Sequence, residues 1–117
     1  MLYRSNKIYV EESLVHGRGV FSSDRIKKGE LLEECHFIKV PPDFEYPQIL
    51  NDYFFSWPKG EIDGIVVCLG YGSIFNHSEE SYNADWNTDK SKNKIIFFAT
   101  RDIEPGEEIF INYKSYL

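Results

Sequence analysis

The chain contains the stretch Leu69-Gly70-Tyr71-Gly72-Ser73-Ile74-Phe75-Asn76-His77-Ser78. Two glycines flank a tyrosine, which indicates unusual backbone φ angles or a close approach of the backbone to another group. Three polar residues then follow an apolar pair that should pull them toward the interior. Polar groups inside a protein need hydrogen-bond partners. The stretch therefore predicts either a dense internal hydrogen-bond network or a ligand site.

Length and composition indicate one globular domain. The 117 residues leave room for a single domain over residues 1–117, and the 42% hydrophobic and 16% aromatic content argues against disorder. The net charge of −6 disfavours nucleic acid as a direct partner, because that binding needs Lys and Arg against the phosphates. The charge mildly favours a cationic partner such as a basic peptide, although solubility alone explains an acidic surface equally well.

The cysteine count and the apolar runs bear on the compartment. Cys35 and Cys68 lack CxxC spacing, so a disulfide framework and a four-cysteine zinc site are excluded within this chain. Two free thiols fit a reducing cytosol. Residues 1–10 hold no apolar core of signal-peptide length, and no apolar run approaches the roughly 18 residues that a membrane span needs. We therefore predict a soluble, intracellular protein without membrane contact, cytoplasmic or, if of viral or eukaryotic origin, nuclear.

Short apolar runs separated by turn signals predict a mainly β domain. The polar segment 85–93 is typical of a hairpin loop. An aromatic-rich segment at 49–55 is consistent with a short helix, although Tyr and Phe are mediocre helix formers. Pro105-Gly106 marks a turn before the last strand. The predicted strands are residues 7–12, 30–40, 65–69, 95–100 and 108–113.

Thiol, metal and paired-carboxylate chemistries find little support. Cys68 with His77 could form a thiol-protease pair, but Cys68 lies in an apolar run typical of a core. Adjacent Cys35 and His36 would point to opposite faces of a strand, which disfavours a zinc site. Adjacent acidic residues also diverge in strands, so we interpret the acidic doublets as solvated faces rather than as an acid–base pair. The doublets are Glu11-Glu12, Glu33-Glu34, Glu79-Glu80 and Glu107-Glu108.

Four segments change this assessment when they are taken together. Alone, Gly17-Arg18-Gly19-Val20-Phe21 favours a tight hairpin over a ligand loop, and it lacks the third glycine of a dinucleotide fingerprint. Three more segments follow it: residues 26–33, Phe75-Asn76-His77-Ser78 and Pro105-Gly106-Glu107-Glu108-Ile109-Phe110-Ile111-Asn112-Tyr113. The order of the four segments and the distances between them in the sequence resemble those of SET-domain protein lysine methyltransferases. The resemblance covers nearly the whole chain. It is to the minimal, stand-alone SET domains of viruses and prokaryotes.

The resemblance implies a fold of small β-sheets with one or two short helices, in which the C-terminal segment threads a loop beside the Asn-His motif. Such a pseudo-knot is an exception to the usual avoidance of threading. The resemblance also implies S-adenosylmethionine as methyl donor and Tyr113 as the catalytic residue, with its hydroxyl near the transferred methyl. Tyr71, Tyr53 and Tyr116 are, in this order, the candidates to line the lysine channel, although Tyr53 could equally be a core aromatic. The implied cofactor-binding residues are His16, Gly17, Arg18, Gly19, Val20, Asn76 and His77.

The family's chemistry fits these residue types. The Asn76-His77 backbone is implied to meet the adenine, and the Asn76 side chain to reach the methionine end. The acceptor lysine must be neutral, and lowering its pKa from about 10.4 to about 7 costs roughly 4.6 kcal/mol. A sulfonium about 4 Å away, at an effective dielectric constant of about 20, repels the ammonium by about 4 kcal/mol. No dedicated carboxylate base is then required, and aromatic side chains align the amine.

Two departures from the family pattern qualify the expected site. Residues 78–83 lack the family's Cys and Pro and contain one extra residue. Leu117 stands where longer members place an aromatic against the adenine, so we expect low cofactor affinity or a homodimer that completes the site. The sequence thus predicts a metal-free, S-adenosylmethionine-dependent lysine methyltransferase acting on a basic, histone-like protein. The alternative is a non-catalytic SET-fold module that binds a peptide.

Overall fold

The fold is built from short strands. The computed structural model describes residues 2–41, 45, 47, 53–59 and 64–112. These residues form ten strands, and no α-helix is among them. The strands are β1 (Ile8–Glu12), β2 (Arg18–Ser22), β3 (Leu31–Cys35), β4 (Phe37–Val40), β5 (Phe54–Ser56), β6 (Ile65–Cys68), β7 (Asn76–His77), β8 (Ala84–Asp89), β9 (Lys94–Ala99) and β10 (Glu108–Ile111).

The larger sheet has the strand order β1-β2-β10-β8-β9-β3, and β7 pairs with β10 beside this path. β1 and β2 form an antiparallel hairpin with Val10 opposite Val20, as the glycine-bracketed turn predicted. β10 joins this hairpin to the other strands, because it is antiparallel to β2 and parallel to both β7 and β8. The last strand therefore lies in the middle of the sheet.

The loop formed by residues 78–83 crosses this last strand. It connects β7 to β8, which both pair with β10. At its start Ser78 N–H donates to Ile111 O at 3.1 Å, and at its end Asn83 N–H donates to Phe110 O at 3.0 Å. Phe110 N–H in turn donates to Asn83 Oδ1 at 2.8 Å. The crossing that the predicted pseudo-knot requires is thus held by hydrogen bonds at both ends of the loop.

The smaller sheet has the order β4-β6-β5. The prediction of one strand over residues 30–40 is wrong, because β3 pairs with β9 whereas β4 pairs with β6 in the other sheet. The chain changes sheets at His36, whose carbonyl oxygen accepts a hydrogen bond from Leu69 N–H at 2.9 Å. The sequence contained one sign of this break: apolar and polar residues alternate in a half-buried strand, but Phe37 and Ile38 are adjacent apolar residues. In the structure the Ile38 side chain is 57% exposed.

Two further predictions are wrong in part, because burial in the core outweighs local pattern. Part of the predicted helix at 49–55 lies outside the described residues, but Phe54 and Phe55 belong to β5. Phe55 packs edge-on against Trp86, with ring centroids 4.9 Å apart. The predicted loop at 85–93 is strand β8 as far as Asp89, because Trp86 is a core residue, and only residues 90–93 form a turn.

The aromatic core anchors the segment that leads into β7. Phe75, directly before Asn76, stacks on Phe97 with ring centroids 4.7 Å apart. Phe55 from the smaller sheet packs edge-on against the same Phe97 ring at 5.8 Å. Such contacts add to the stabilisation from burial. The core therefore fixes Phe75, and with it the start of the Asn-His pair.

We expect stability to fall in acid below pH 4.5. Hydrogen bonds from Lys94 and from Tyr3 N–H lower the pKa of Glu34 below its ordinary 4.5. A hydrogen bond from Lys28 N–H, with another from Arg25, lowers the pKa of Asp102 below its ordinary 3.8. A depressed folded-state pKa gives stability above the unfolded pKa, and that stability is lost as pH falls through the folded value.

Urea denaturation across this range measures the effect. The midpoint should fall as the pH is lowered from 4.5, and Glu34→Gln should make the fall shallower because one depressed carboxylate is gone. An unchanged pH profile in Glu34→Gln would contradict this assignment.

Candidate active site

A cavity of about 500 Å³ lies between the β1–β2 turn and the segment that enters β7. It contains six of the predicted site residues: three of the cofactor set on the turn, the Asn76-His77 pair on the other side, and Tyr53. Sequence reasoning assigned no role there to Val15, Ser73, Ile74 or Phe75, although three of these lie in the opening stretch. The lining residues are Val15, His16, Gly17, Arg18, Tyr53, Ser73, Ile74, Phe75, Asn76 and His77.

Asn76 ties the two sides of the cavity together. Its Nδ2 lies 3.0 Å from His16 O and 3.2 Å from Arg18 O, both on the hairpin turn. The same nitrogen lies 2.8 Å from Glu108 Oε2 on β10. Three acceptors around one nitrogen fix the orientation of the amide, because a flipped amide would face them with its oxygen. Within the described residues no donor contacts Asn76 Oδ1.

A side chain closely approaches the backbone at Gly19, in the first glycine motif. A Cβ there would lie 2.2 Å from Glu108 Oε2 and 3.1 Å from Asn76 Nδ2, so only glycine leaves room for this carboxylate. Glu108 Oε1 also accepts a hydrogen bond from Ser13 Oγ at 2.7 Å. The interpretation of Glu107-Glu108 as a solvated face is therefore wrong for Glu108, which braces the turn from inside the sheet.

Two residues of the predicted cofactor set do not line the cavity. Val20 is a fully buried core residue opposite Ile109. Gly19 acts from behind, through its contact with Glu108. The cavity wall on this side consists of the turn itself, where Gly17 has a φ of +50°.

His77 occupies a scaffold position rather than that of an obvious catalytic base. It lies in β7 and pairs with Ile111 in the register of β10. Its Nε2 is 3.8 Å from Glu79 Oε1, at a half-buried position. The sheet holds the backbone of His77, and the implied contact of this backbone with the adenine stays a prediction.

The predicted tyrosines lie in different places. Tyr53 borders the cavity, whereas Tyr71 is not among its lining residues. Tyr71 lies under Arg4, whose guanidinium carbon is 3.8 Å from the ring centroid. Tyr113 and Tyr116 lie outside the described residues, so their predicted roles stay predictions.

The thiols and metal-capable groups form no second centre in the part of the chain that is described. Cys35 and Cys68 are free and buried. The neighbouring Cys68 side chain, followed by burial, raises the pKa of the Cys35 thiol far above its ordinary value, which keeps it protonated and unreactive. Residues 2–41, 45, 47, 53–59 and 64–112 bring no three His, Cys, Asp or Glu side chains together as metal ligands, nor do they contain a helix able to cross a membrane.

The fold and the cavity together have the features that the sequence resemblance implied. The domain is nearly all β, and its last strand is crossed by a loop beside an Asn-His pair and a ligand-sized cavity. The chain belongs to the SET domain family, whose sequence model matches residues 17–114.

Curated relatives and solved structures agree with this assignment. A histone-lysine N-methyltransferase specific for H3 lysine-37, from Schizosaccharomyces pombe, is 33% identical over 106 residues, covering 86% of this chain and 69% of the relative. A Cryptococcus neoformans enzyme specific for H3 lysine-4 is 28% identical over 95% of this chain, which spans 8% of that longer protein.

The structural similarities cover almost the whole chain. A histone methyltransferase candidate of Plasmodium falciparum matches with a TM-score of 0.78 and 34% identity, over 95% of this chain and 96% of that one. The Neurospora SET domain protein DIM-5 matches with a TM-score of 0.72 over 94% of this chain and 53% of that one; at 18% identity it shows the fold alone. This chain is a protein lysine methyltransferase of the SET family.

Proposed function

We propose that the cavity between the hairpin turn and the Asn76-His77 pair binds S-adenosylmethionine, and that the acceptor is a lysine of a basic, histone-like protein. The observation that carries the proposal is the position of Asn76. Its amide nitrogen is held by both walls of the cavity, while its Oδ1 has no donor among the described residues. A polar atom presented in this way suits a cationic amine on a ligand.

The cavity also suits the cofactor in size and lining. Its volume of about 500 Å³ falls within the roughly 300–1,000 Å³ typical of small-molecule sites. Ile74, Phe75 and Val15 give it apolar surface for a flat base, and the His16–Arg18 turn offers backbone groups for polar contacts. When bound, S-adenosylmethionine supplies a methyl group on a positively charged sulfur. Asn76 would hold its amino-acid end, and the backbone of Asn76-His77 its adenine.

Among the predicted channel tyrosines, Tyr53 has the best structural support. It borders the cavity, so its ring can flank the path along which a lysine side chain reaches the cofactor. In the sequence, Tyr113 comes two residues after the end of β10, the strand that pairs with Asn76 and His77. We propose that the Tyr113 hydroxyl orients the lysine amine. Low cofactor affinity and dimerisation stay predictions, as does the cytoplasmic or nuclear compartment.

Charge and relatives support a histone-like substrate. The net charge of −6 attracts a basic peptide, and attraction of this kind raises association rates. The two curated relatives described above are named for lysines 37 and 4 of histone H3, so the position within a histone differs between them. We therefore propose the basic-tail class of substrate without selecting one lysine.

The proposal is tested by methyl transfer to peptides. Wild type is incubated with radiolabelled cofactor and basic peptides that contain lysine, and matched peptides with arginine in place of lysine are the control. Tyr113→Phe should lower kcat about tenfold, because one hydrogen bond that orients the amine is worth roughly 1.4 kcal/mol. Calorimetric affinity for the cofactor should not change. A wild type that binds peptide but transfers no methyl would support the non-catalytic module instead.

A further inference from the structure

A buried ion pair lies beside the turn that leads into Asn76. Glu33 is 2% exposed, and its Oε1 forms an ion pair with Arg4 Nε. Its Oε2 accepts a hydrogen bond from Tyr71 N–H at 3.0 Å. This corrects the interpretation of Glu33-Glu34 as a solvated face. One carboxylate joins the N-terminal segment to the start of the turn at residues 71–74.

A bulge in β3 aims this carboxylate inward. Leu31 pairs with Phe98 and Glu33 pairs with Phe97, so β3 contains one extra residue between them. Strict alternation would place Leu32 and Glu33 on opposite faces, yet both are buried. A bulge re-aims side chains in this way. The inward position of Glu33 is therefore set by the backbone.

The turn approaches the ion pair closely. Gly70 has a φ of +67°, and a Cβ there would lie 3.0 Å from Arg4 Nη2 and 3.1 Å from Glu33 Oε1. The Arg4 guanidinium lies over the Tyr71 ring in cation–π geometry. The pair thus holds Tyr71 twice, by its backbone N–H and by its ring.

The residue held in this way begins the turn that leads into one wall of the cavity. Ile74 N–H donates to Tyr71 O at 2.9 Å, which closes the turn. Ser73 and Ile74 line the cavity, and Asn76 follows two residues later. A displacement of Tyr71 would therefore move the wall that carries these side chains.

We propose that Glu33 and Arg4 are positioning residues of the cofactor cavity, which fix the turn at 71–74 and so place Ser73, Ile74 and Asn76. This inference rests on the proposed function, since it takes the cavity as the S-adenosylmethionine site. A buried ion pair adds little stability compared with a well-packed apolar pair of the same volume, so stability alone does not explain it. Tyr71 then supports the cavity wall instead of lining the lysine channel.

Glu33→Gln tests the proposal, because it keeps the size of the side chain and removes the charge that Arg4 faces. We expect the calorimetric Kd for S-adenosylmethionine to rise about tenfold in folded protein, the KM for the cofactor to rise with it, and kcat at saturating cofactor to stay within about twofold. The matched control is Glu34→Gln. It breaks the neighbouring ion pair with Lys94, which does not touch the turn, and should leave Kd unchanged.

A second readout needs no cofactor. In the ligand-free protein, the NMR signals of the Tyr71 backbone amide and the Asn76 side-chain amide should shift in Glu33→Gln and stay in place in Glu34→Gln. If Glu33→Gln does not fold, Arg4→Lys is measured instead. It keeps the positive charge but loses the planar group that stacks on the Tyr71 ring. We expect the same changes in Kd and in the NMR signals, but smaller.

The outcomes separate the two proposals. Wild-type Kd in folded Glu33→Gln, or an equal rise in both variants, would overturn the positioning role. If wild type binds no S-adenosylmethionine, the proposed function fails, and unshifted Tyr71 and Asn76 signals would then separately refute the fixing of the turn by Glu33.

Discussion

Asn76→Ala is expected to weaken S-adenosylmethionine binding at least about 100-fold, which corresponds to roughly 2.7 kcal/mol. Two losses combine to give this effect. The cavity loses the Oδ1 acceptor, and a hydrogen bond to a charged group is worth about 1.5–3 kcal/mol. The hairpin turn also loses its link to β7, because His16 O and Arg18 O no longer share a donor. Isothermal titration calorimetry measures the change in Kd directly.

Asn83→Ala is the matched control for this prediction. Asn83 is equally an interior asparagine, and its side chain bonds to the backbone of β10, with Nδ2 3.0 Å from Glu108 O and Oδ1 2.8 Å from Phe110 N. It does not line the cavity. Both variants should lose stability in urea, but only Asn76→Ala should lose cofactor affinity. Equal losses of affinity would show that Asn76 acts through the fold alone.

Arg4→Ala is expected to lower the free energy of unfolding by about 3 kcal/mol, the low end of the range for breaking a buried ion pair. The carboxylate of Glu33 would stay buried and charged without its cation. We expect a loss of unfolding free energy at the low end of the range because the Arg4 side chain is 45% exposed. Water can therefore reach the Glu33 carboxylate once the Arg4 side chain is removed. Urea denaturation at neutral pH measures the difference.

Arg25→Ala is the control for the same substitution at an exposed pair. Arg25 and Asp102 are 60% and 47% exposed, and such surface pairs contribute about 0–1 kcal/mol.

The double variant Arg4→Ala with Glu33→Gln should be more stable than the sum of the single changes predicts, because the uncompensated charge is then gone. Additive changes would mean that the two side chains do not act as a pair.

Much of the fold could be predicted from local pattern. The strands at 65–69, 95–100 and 108–113 were visible as β-branched and aromatic runs between turn signals, and the structure places β6, β9 and β10 there. The change of sheet at His36 and the strand at 84–89 were not visible. Both depend on partners far along the chain: β4 needs β6, and β8 is drawn in by the burial of Trp86.

The site was predictable only where a motif marked it. His16, Gly17, Arg18 and Asn76 were found from family resemblance, and the cavity contains all four. The inward positions of Glu33 and Glu108 were not predicted, because each residue belongs to an acidic doublet and such doublets usually face solvent. A bulge turns Glu33 inward, and the absence of a side chain at Gly19 makes room for Glu108. Neither event leaves a local sequence signal.

The central position of β10 has a consequence for biosynthesis. This strand comes after all its partners in the sequence, pairs with β2, β7 and β8, and carries Glu108, which contacts the Asn76 side chain. Until it emerges, the earlier strands have no common partner and their edges are open to other chains. The larger sheet can therefore be completed only after β10 has been synthesised, through contacts distant in sequence that form slowly. Competence to bind the methyl donor should then arise in one late step, and a nascent chain lacking residues 108–111 cannot methylate.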